Sequence, residues 1–244
     1  MLDPLAAVGS GADLSPWLSI DPYSLDSEAK AELLRTRIGA LTEYHYRHCP
    51  PYARMLDATG FDAHEVHSLE ETPFLPVRLF KELDLFSVPE EEIVKSMTSS
   101  GTSGQSVSRI YLDRAGATTQ TRVLTRLVAS VIGPQRLPMV IIDSDETIRN
   151  RSRFSARAAG ILGFSMFGRD KLFALDSRMC LDVEALDAFL ERHSGHPILV
   201  FGFTFMIWQY FYKVLRDSGR TVDLERAVLL HGGGWKRLAS EAVS

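Results

Sequence analysis

The apolar positions of this chain fall first in a helical rhythm and later in short continuous runs separated by helical stretches. Asp26-Ser27 opens a helix, with Glu28 in the first turn where a negative charge suits the helix dipole. Leu33, Leu34, Ile38, Leu41 and Tyr44 give that helix one apolar side, and Cys49-Pro50-Pro51 stops it. A short amphipathic helix is predicted between Pro76 and Val88, with Leu79, Phe80 and Leu83 facing inward. Ile93 to Thr98 and Arg109 to Asp113 read as strands on either side of a polar loop. Helices then cover about Ala115–Val131, Asn150–Leu162, Leu181–His193 and Phe205–Asp217. The short apolar runs Pro138–Asp143, Pro197–Phe201 and Ala227–Leu230 read as strands. Strands alternating with helices of this length imply an α/β class with parallel pairing and crossover helices.

Two segments change the picture little. Residues 1–22 are rich in Gly, Pro, Ser and Asp and are expected to be poorly ordered, leaving 23–244 as the folded domain. Pro197 to Tyr212 carries no charge, but a spanning helix needs roughly 18–20 apolar residues, and Gly202 and Thr204 interrupt this stretch. It reads as a buried strand running into a helix, not a membrane span.

Composition sets the outer limits. The chain has 244 residues, 27 basic and 31 acidic side chains, a formal charge of -4 and 45% hydrophobic residues. Those values exclude wholesale disorder and fibrous repeats. A pI near 6.0 argues against general nucleic-acid binding, which needs a basic footprint. Two cysteines, Cys49 and Cys180, cannot build a disulfide framework and point to a reducing cytoplasm. Asp3 sits where a signal peptide needs positive charge.

Three segments carry candidate chemistry. Thr98-Ser-Ser-Gly-Thr-Ser-Gly104 is an unbroken Ser/Thr/Gly run between two strands. Glycines let backbone N–H groups converge on an anion, and hydroxyls add donors, so the run suits a phosphate; the same composition suits a surface hairpin tip. It lacks the Gly-Lys-Ser/Thr ending of the common P-loop and the offsets of a Gly-x-Ser-x-Gly nucleophile elbow. His231-Gly-Gly-Gly-Trp-Lys-Arg237 follows the last strand, where open α/β sheets bind ligands, or else simply turns the chain. Phe201-Gly-Phe-Thr-Phe-Met-Ile-Trp208 lies where a strand hands over to a helix and reads as core or as the wall of an apolar pocket. His45, His48, Cys49, His64 and His67 show metal-like spacing without a second cluster, so no metal site is assigned. Arg149, Arg151, Arg153 and Arg157 form a basic run that reads as a solvated helix end or as a meeting point for a phosphate or an acidic partner.

Together these segments resemble the adenylate-forming enzymes. The resemblance is nearest to the LuxE-type acyl-protein synthetases of bacterial bioluminescence and to the related phenylacetate-CoA ligases. The TSSGTSG loop resembles the family's phosphate loop. HGGGWKR resembles the synthetases' Gly-Gly-Gly-Trp-Lys segment, about 130 residues further on. YHYRHCPPY, TPFLPVRLFK and FGFTFMIWQYF also look like family segments, so the likeness covers roughly residues 15 to 244.

The resemblance implies an adenylate-forming N-terminal domain with a mixed sheet and crossover helices. It implies ATP-dependent activation of a fatty or other carboxylic acid as acyl-adenylate, with Mg²⁺, and transfer to a protein thiol or coenzyme A. Carried over by position, Ser99, Ser100, Gly101, Thr102, Ser103 and Gly104 would hold the ATP phosphates. Gly232, Gly233 and Gly234 would border the adenine, with Trp235 packing nearby. Gly202, Phe203 and Thr204 would lie along the acyl channel, and His231 would approach the carboxylate. An acyl-reductase partner or a homo-oligomer fits the same likeness. The family's metal-supporting acid, ribose-binding aspartate and catalytic lysine have no counterpart here, so the C-terminal part is expected to be missing. A non-catalytic nucleotide- or partner-binding module and a coenzyme A ligase of the phenylacetate type stand as alternatives.

Overall fold

A computed structural model describes residues 18–62, 68–98, 107–149, 156–235 and 242. The chain divides into two compact units, Met1–Val131 and Ile132–Ser244.

In the N-terminal unit, helix α1 spans Ser27–His48 and is capped as its sequence predicts: Asp26 Oδ1 accepts a hydrogen bond from the Ala29 amide at 2.8 Å. Its most buried stripe is Leu33, Arg37 and Thr42, while Tyr44 is exposed and donates its hydroxyl proton to the Ser87 carbonyl. The double proline that ends α1 also begins a helix that sequence reading does not assign. Extended Cys49 separates α1 from α2, Pro50–Thr59, with Pro50 in the first turn, where a missing N–H costs nothing. Gly60, at φ 68°, ends α2 in the left-handed conformation that glycine adopts freely. The helix expected after Pro76 is a single turn, α3, Leu79–Glu82.

Strands β1, Ile93–Thr98, and β2, Arg109–Asp113, pair antiparallel from Ile93 opposite Asp113 to Thr98 opposite Arg109. Asp113 then starts α4, Arg114–Ile132, its Oδ1 accepting from the Gly116 amide at 2.7 Å. A cavity of about 510 Å³ in this unit is lined by Leu18, Leu25, Leu33, Val123 and Leu127 together with the ion-paired Asp21 and Arg126.

The C-terminal unit is a parallel sheet between helices. Its strands are β3, Leu137–Ser144, β4, Gly168–Leu175, β5, Ile198–Phe203, and β6, Ala227–Gly232. They lie in the order β4-β3-β5-β6, every neighbouring pair parallel. Sequence patterning assigns no strand over 168–175. Arg169, Asp170 and Lys171 are exposed there on an edge strand, so no apolar run marks it.

Side chains alternate between the faces. Val140, Ile142, Ile198 and Val200 pack with Leu186 and Phe189 of helix α7, Val183–Arg192, and with Phe211 and Leu215. On the other face, Phe201 packs against Phe164 at the end of helix α6, Ala156–Phe164, with the rings tilted. Between β3 and α6 lies the short helix α5, Glu146–Arg149; the opening of the helix expected from Asn150 falls outside the described residues.

The helix after β5 is not uniform. Thr204–Met206 (α8) passes into a π-helical stretch, Ile207–Tyr212, before α9, Lys213–Asp217. Such π segments are rare and concentrate at functional sites. No helix among the described residues is long and apolar enough to cross a membrane.

Candidate functional site

The chain leaves β3 for β4 on one side and returns to β5 on the other, so the strand order reverses between β3 and β5. Ligands of open α/β sheets bind outside the carboxyl ends of strands at such a switch point. The residues there fall into two groups.

The first closes β3. Asp143 ends a run of buried apolar residues and is itself 1% exposed. Its Oδ1 accepts from the Ser144 amide at 2.8 Å and from the Thr147 hydroxyl at 2.7 Å. Its Oδ2 lies 3.1 Å from Arg157 Nε, close enough for an ion pair, although the oxygen has no aligned hydrogen bond. Arg157 donates further to Thr147 Oγ1 at 3.0 Å and meets Met206 Sδ at 3.5 Å. The network ties β3, α5, α6 and α8 together. It also divides the basic run: Arg157 partners a buried acid, whereas Arg149 is a solvated helix end, exposed and paired with Asp145 at 2.7 Å. Arg151 and Arg153 lie outside the described residues. Sequence reasoning missed Asp143; the available signal was a carboxylate ending an otherwise apolar strand.

The second group joins β5 to β6. Gly202 pairs with His231 and Phe203 with Gly232, so the strand carries two residues further than its apolar run indicates. Gly202 is buried, and a Cβ there would come within 2.8 Å of Ile207 Cγ1 and 3.1 Å of Ile142 Cβ. The Phe203 ring is flanked by two glycines, since a Cβ on Gly160 would meet it at 2.9 Å and one on Gly233 at 3.2 Å. Gly233 has φ 79°, which turns the chain sharply after β6. Around Gly232 and Gly234 an added Cβ would meet nothing within 4 Å among the described residues, so these leave the backbone open to a close-approaching group.

Thr204 stitches the turn together. Its Oγ1 lies 2.9 Å from the Gly233 carbonyl, 3.3 Å from the Gly232 carbonyl and 3.1 Å from His231 Nδ1. Trp235 packs edge-on to Trp208 at 5.3 Å, and Trp208 stacks on Tyr212 at 4.7 Å, so the turn leans on the π-helical stretch.

The structure therefore gathers Gly202, Phe203, Thr204, His231, Gly232, Gly233 and Trp235 into one corner of the C-terminal unit. Ser99, Ser100, Gly101, Thr102, Ser103 and Gly104 lie outside the described residues. Of the histidines spaced like metal ligands, His45 bonds Ser87 Oγ at 2.7 Å and His48 the Tyr44 carbonyl at 2.8 Å. His64 and His67 lie outside the described residues. No three His, Cys, Asp or Glu side chains among the described residues cluster closely enough to hold a metal.

Comparison with known proteins places this corner in context. A family model described as acyl-protein synthetase, LuxE, matches residues 8–244. A phenylacetate-coenzyme A ligase from Thermus thermophilus is 34% identical over 88 residues, covering 34% of this chain and 20% of the ligase. A 2-hydroxyisobutyryl-CoA ligase, solved in an open conformation with 2-HIB-AMP and CoA, superposes with a TM-score of 0.53 at 14% identity. That match covers 88% of this chain and 52% of the ligase and speaks to the fold alone. The chain thus spans about half the length of this structural neighbour and shares its α/β architecture. With nearly its whole length matched by the family model, it belongs to the LuxE acyl-protein synthetase family.

Proposed function

We propose that this chain supplies the nucleotide and acyl cradle of an ATP-dependent acid–thiol ligase acting on a long-chain fatty acid in the cytoplasm. A carboxylate oxygen attacks the α-phosphorus of ATP, pyrophosphate leaves, and the acyl-adenylate forms. A thiolate then attacks the acyl carbonyl and AMP leaves. In this reading the acceptor thiol belongs to a protein cysteine, as the family's description suggests. Coenzyme A is the second reading, favoured by the names of the ligase relatives.

The observation that carries the reading is the glycine turn at the carboxyl end of β6, with the space beside Gly232 and Gly234 left open by the described residues and a turn geometry held by Thr204. A flat adenine can lie against such a backbone, with Trp235 behind it. Phe203 and Thr204 border the acyl group, while the buried Gly202 lets the π-helical stretch pack close to β5. Ser99 to Gly104 hold the phosphates. Catalysis of this kind is mostly positioning and charge neutralisation, which rigid backbone and hydroxyl donors supply. Mg²⁺ would offset the phosphate charge; with no cluster of protein ligands among the described residues, it fits as an ion carried by the phosphates and water. An acyl-reductase partner and a role in luminescence belong to the same proposal.

The test is a calorimetric titration with ATP and Mg²⁺, with and without a long-chain fatty acid, followed by fatty-acid-dependent pyrophosphate release. Saturable binding that weakens at least about tenfold in Gly233→Val is expected, because valine at φ 79° is strained and would press on Phe203. Unchanged affinity in a folded Gly233→Val protein would remove the site assignment.

A further inference from the structure

The contacts of Thr204 fix more than the path of the turn. Its hydroxyl carries one proton and faces three groups: the carbonyls of Gly232 and Gly233 at 3.3 and 2.9 Å, and His231 Nδ1 at 3.1 Å. Carbonyl oxygens can only accept. Were the proton given to Nδ1, the hydroxyl and Gly233 oxygens would face each other at 2.9 Å with no proton between them. Donation to Gly233 removes that repulsion and leaves a hydroxyl lone pair directed at Nδ1. Nδ1 must then carry a hydrogen to complete the contact, and in a neutral imidazole the other nitrogen, Nε2, becomes an acceptor. His231 is exposed, and nothing among the described residues bonds its Nε2.

We infer that Thr204 locks His231 in the Nδ1–H tautomer, so that Nε2 accepts a hydrogen bond and selects ligands bearing an N–H or O–H donor beside the glycine turn. Thr204 is a positioning residue and His231 a specificity-determining one. This differs from the sequence expectation that His231 meets the carboxylate, because a lone pair aimed at an anion repels it. The selectivity rests on the proposal that a nucleotide lies on the glycine turn. The donors it offers there are the exocyclic amine of adenine and the ribose hydroxyls, and both satisfy the same acceptor.

The tautomer is read without any ligand, from the long-range proton–nitrogen correlations of the His231 ring in wild type and in Thr204→Val. Wild type should show hydrogen on Nδ1, and Thr204→Val a mixture of tautomers. Hydrogen on Nε2 in wild type, or an unchanged ring in Thr204→Val, overturns the lock.

Selectivity is read by titrating ATP, purine riboside triphosphate (which lacks the amine), 2′-deoxy-ATP and 3′-deoxy-ATP. One of the three analogues should bind about tenfold more weakly than ATP, the loss of one hydrogen bond, and identifies the donor. His231→Leu should erase that difference, and His231→Gln, whose amide oxygen can accept, should keep part of it. Equal discrimination in wild type and His231→Leu overturns the selectivity. Failure of every nucleotide to bind, beside a correctly locked His231, overturns the nucleotide reading and its selectivity while the lock stands.

Discussion

Val94, Met97 and Ile110 stand 52%, 39% and 48% exposed on the antiparallel pair β1–β2, whereas Met139, Val140, Ile141 and Ile142 of β3 are at most 1% exposed. The residue types are alike, and the difference lies in the layers. A two-stranded ribbon offers little burial of its own. A parallel strand flanked by two others and covered by helices on both faces has no solvent side, so its sequence runs apolar without alternation.

The polar exceptions differ in the same way. In the N-terminal unit Arg37 is buried in the α1 stripe, where loss of hydration holds its pKa below the usual arginine value. In the C-terminal unit the buried charged residue among those described is Asp143, which is ion-paired and hydrogen-bonded at the mouth of the sheet. Rigid burial places a polar group accurately, and the candidate site stands beside the more deeply packed sheet.

The sharpest way to break this contrast is Arg157→Met. It would leave the Asp143 carboxylate buried beside Thr147 without its cation and should cost the C-terminal unit about 3–5 kcal/mol in urea unfolding at neutral pH. A loss below about 1 kcal/mol would show that the pair does not hold β3 to its helices.

A smaller effect is expected from Asp26→Ala in the N-terminal unit. It removes the side-chain acceptor for the Ala29 amide and should cost about 1 kcal/mol, read as a shift in the urea midpoint at constant slope. A cost as large as that of Arg157→Met would mean that local capping, and not layer depth, separates the units.

The smallest effect concerns pH. Partial burial, and secondarily the charge of His48, hold the His45 pKa below its ordinary value of 6.5. The unfolded chain therefore binds more protons than the folded one just below that value, and stability falls as pH drops through about 6.5. Because His45 keeps much of its surface in water, the loss should stay near 0.5 kcal/mol. His45→Asn should flatten stability between pH 7 and 5.5; an unaltered slope would assign the dependence elsewhere.

Local patterns were legible where one physical cause acted alone. Asp26 caps α1 as read, and the apolar runs of β3, β5 and β6 appear as strands. The glycine turn lies at a strand end as expected. Reading failed where a neighbour decided the outcome. Strand β4 hides behind Arg169, Asp170 and Lys171 because an edge strand need not be apolar. Helix α2 hides behind Pro50-Pro51, since proline ends one helix and begins the next equally well. Arg157 counted as one of a charge run until its partner, fourteen positions earlier, came beside it in space.

The order of residues alone determined the α/β class, the family likeness and the residue types available at the carboxyl end of the sheet. Each depends on short-range periodicity or on a contiguous motif. Tertiary structure alone decided that the strand order reverses between β3 and β5, that Phe203 fits a slot between Gly160 and Gly233, and that Thr204 meets His231 across 27 positions of chain. Those relations are distances between parallel strands and the helices and turns that join them. Parallel neighbours come together only after a crossover of many residues, so no local pattern encodes which side chains meet at their ends.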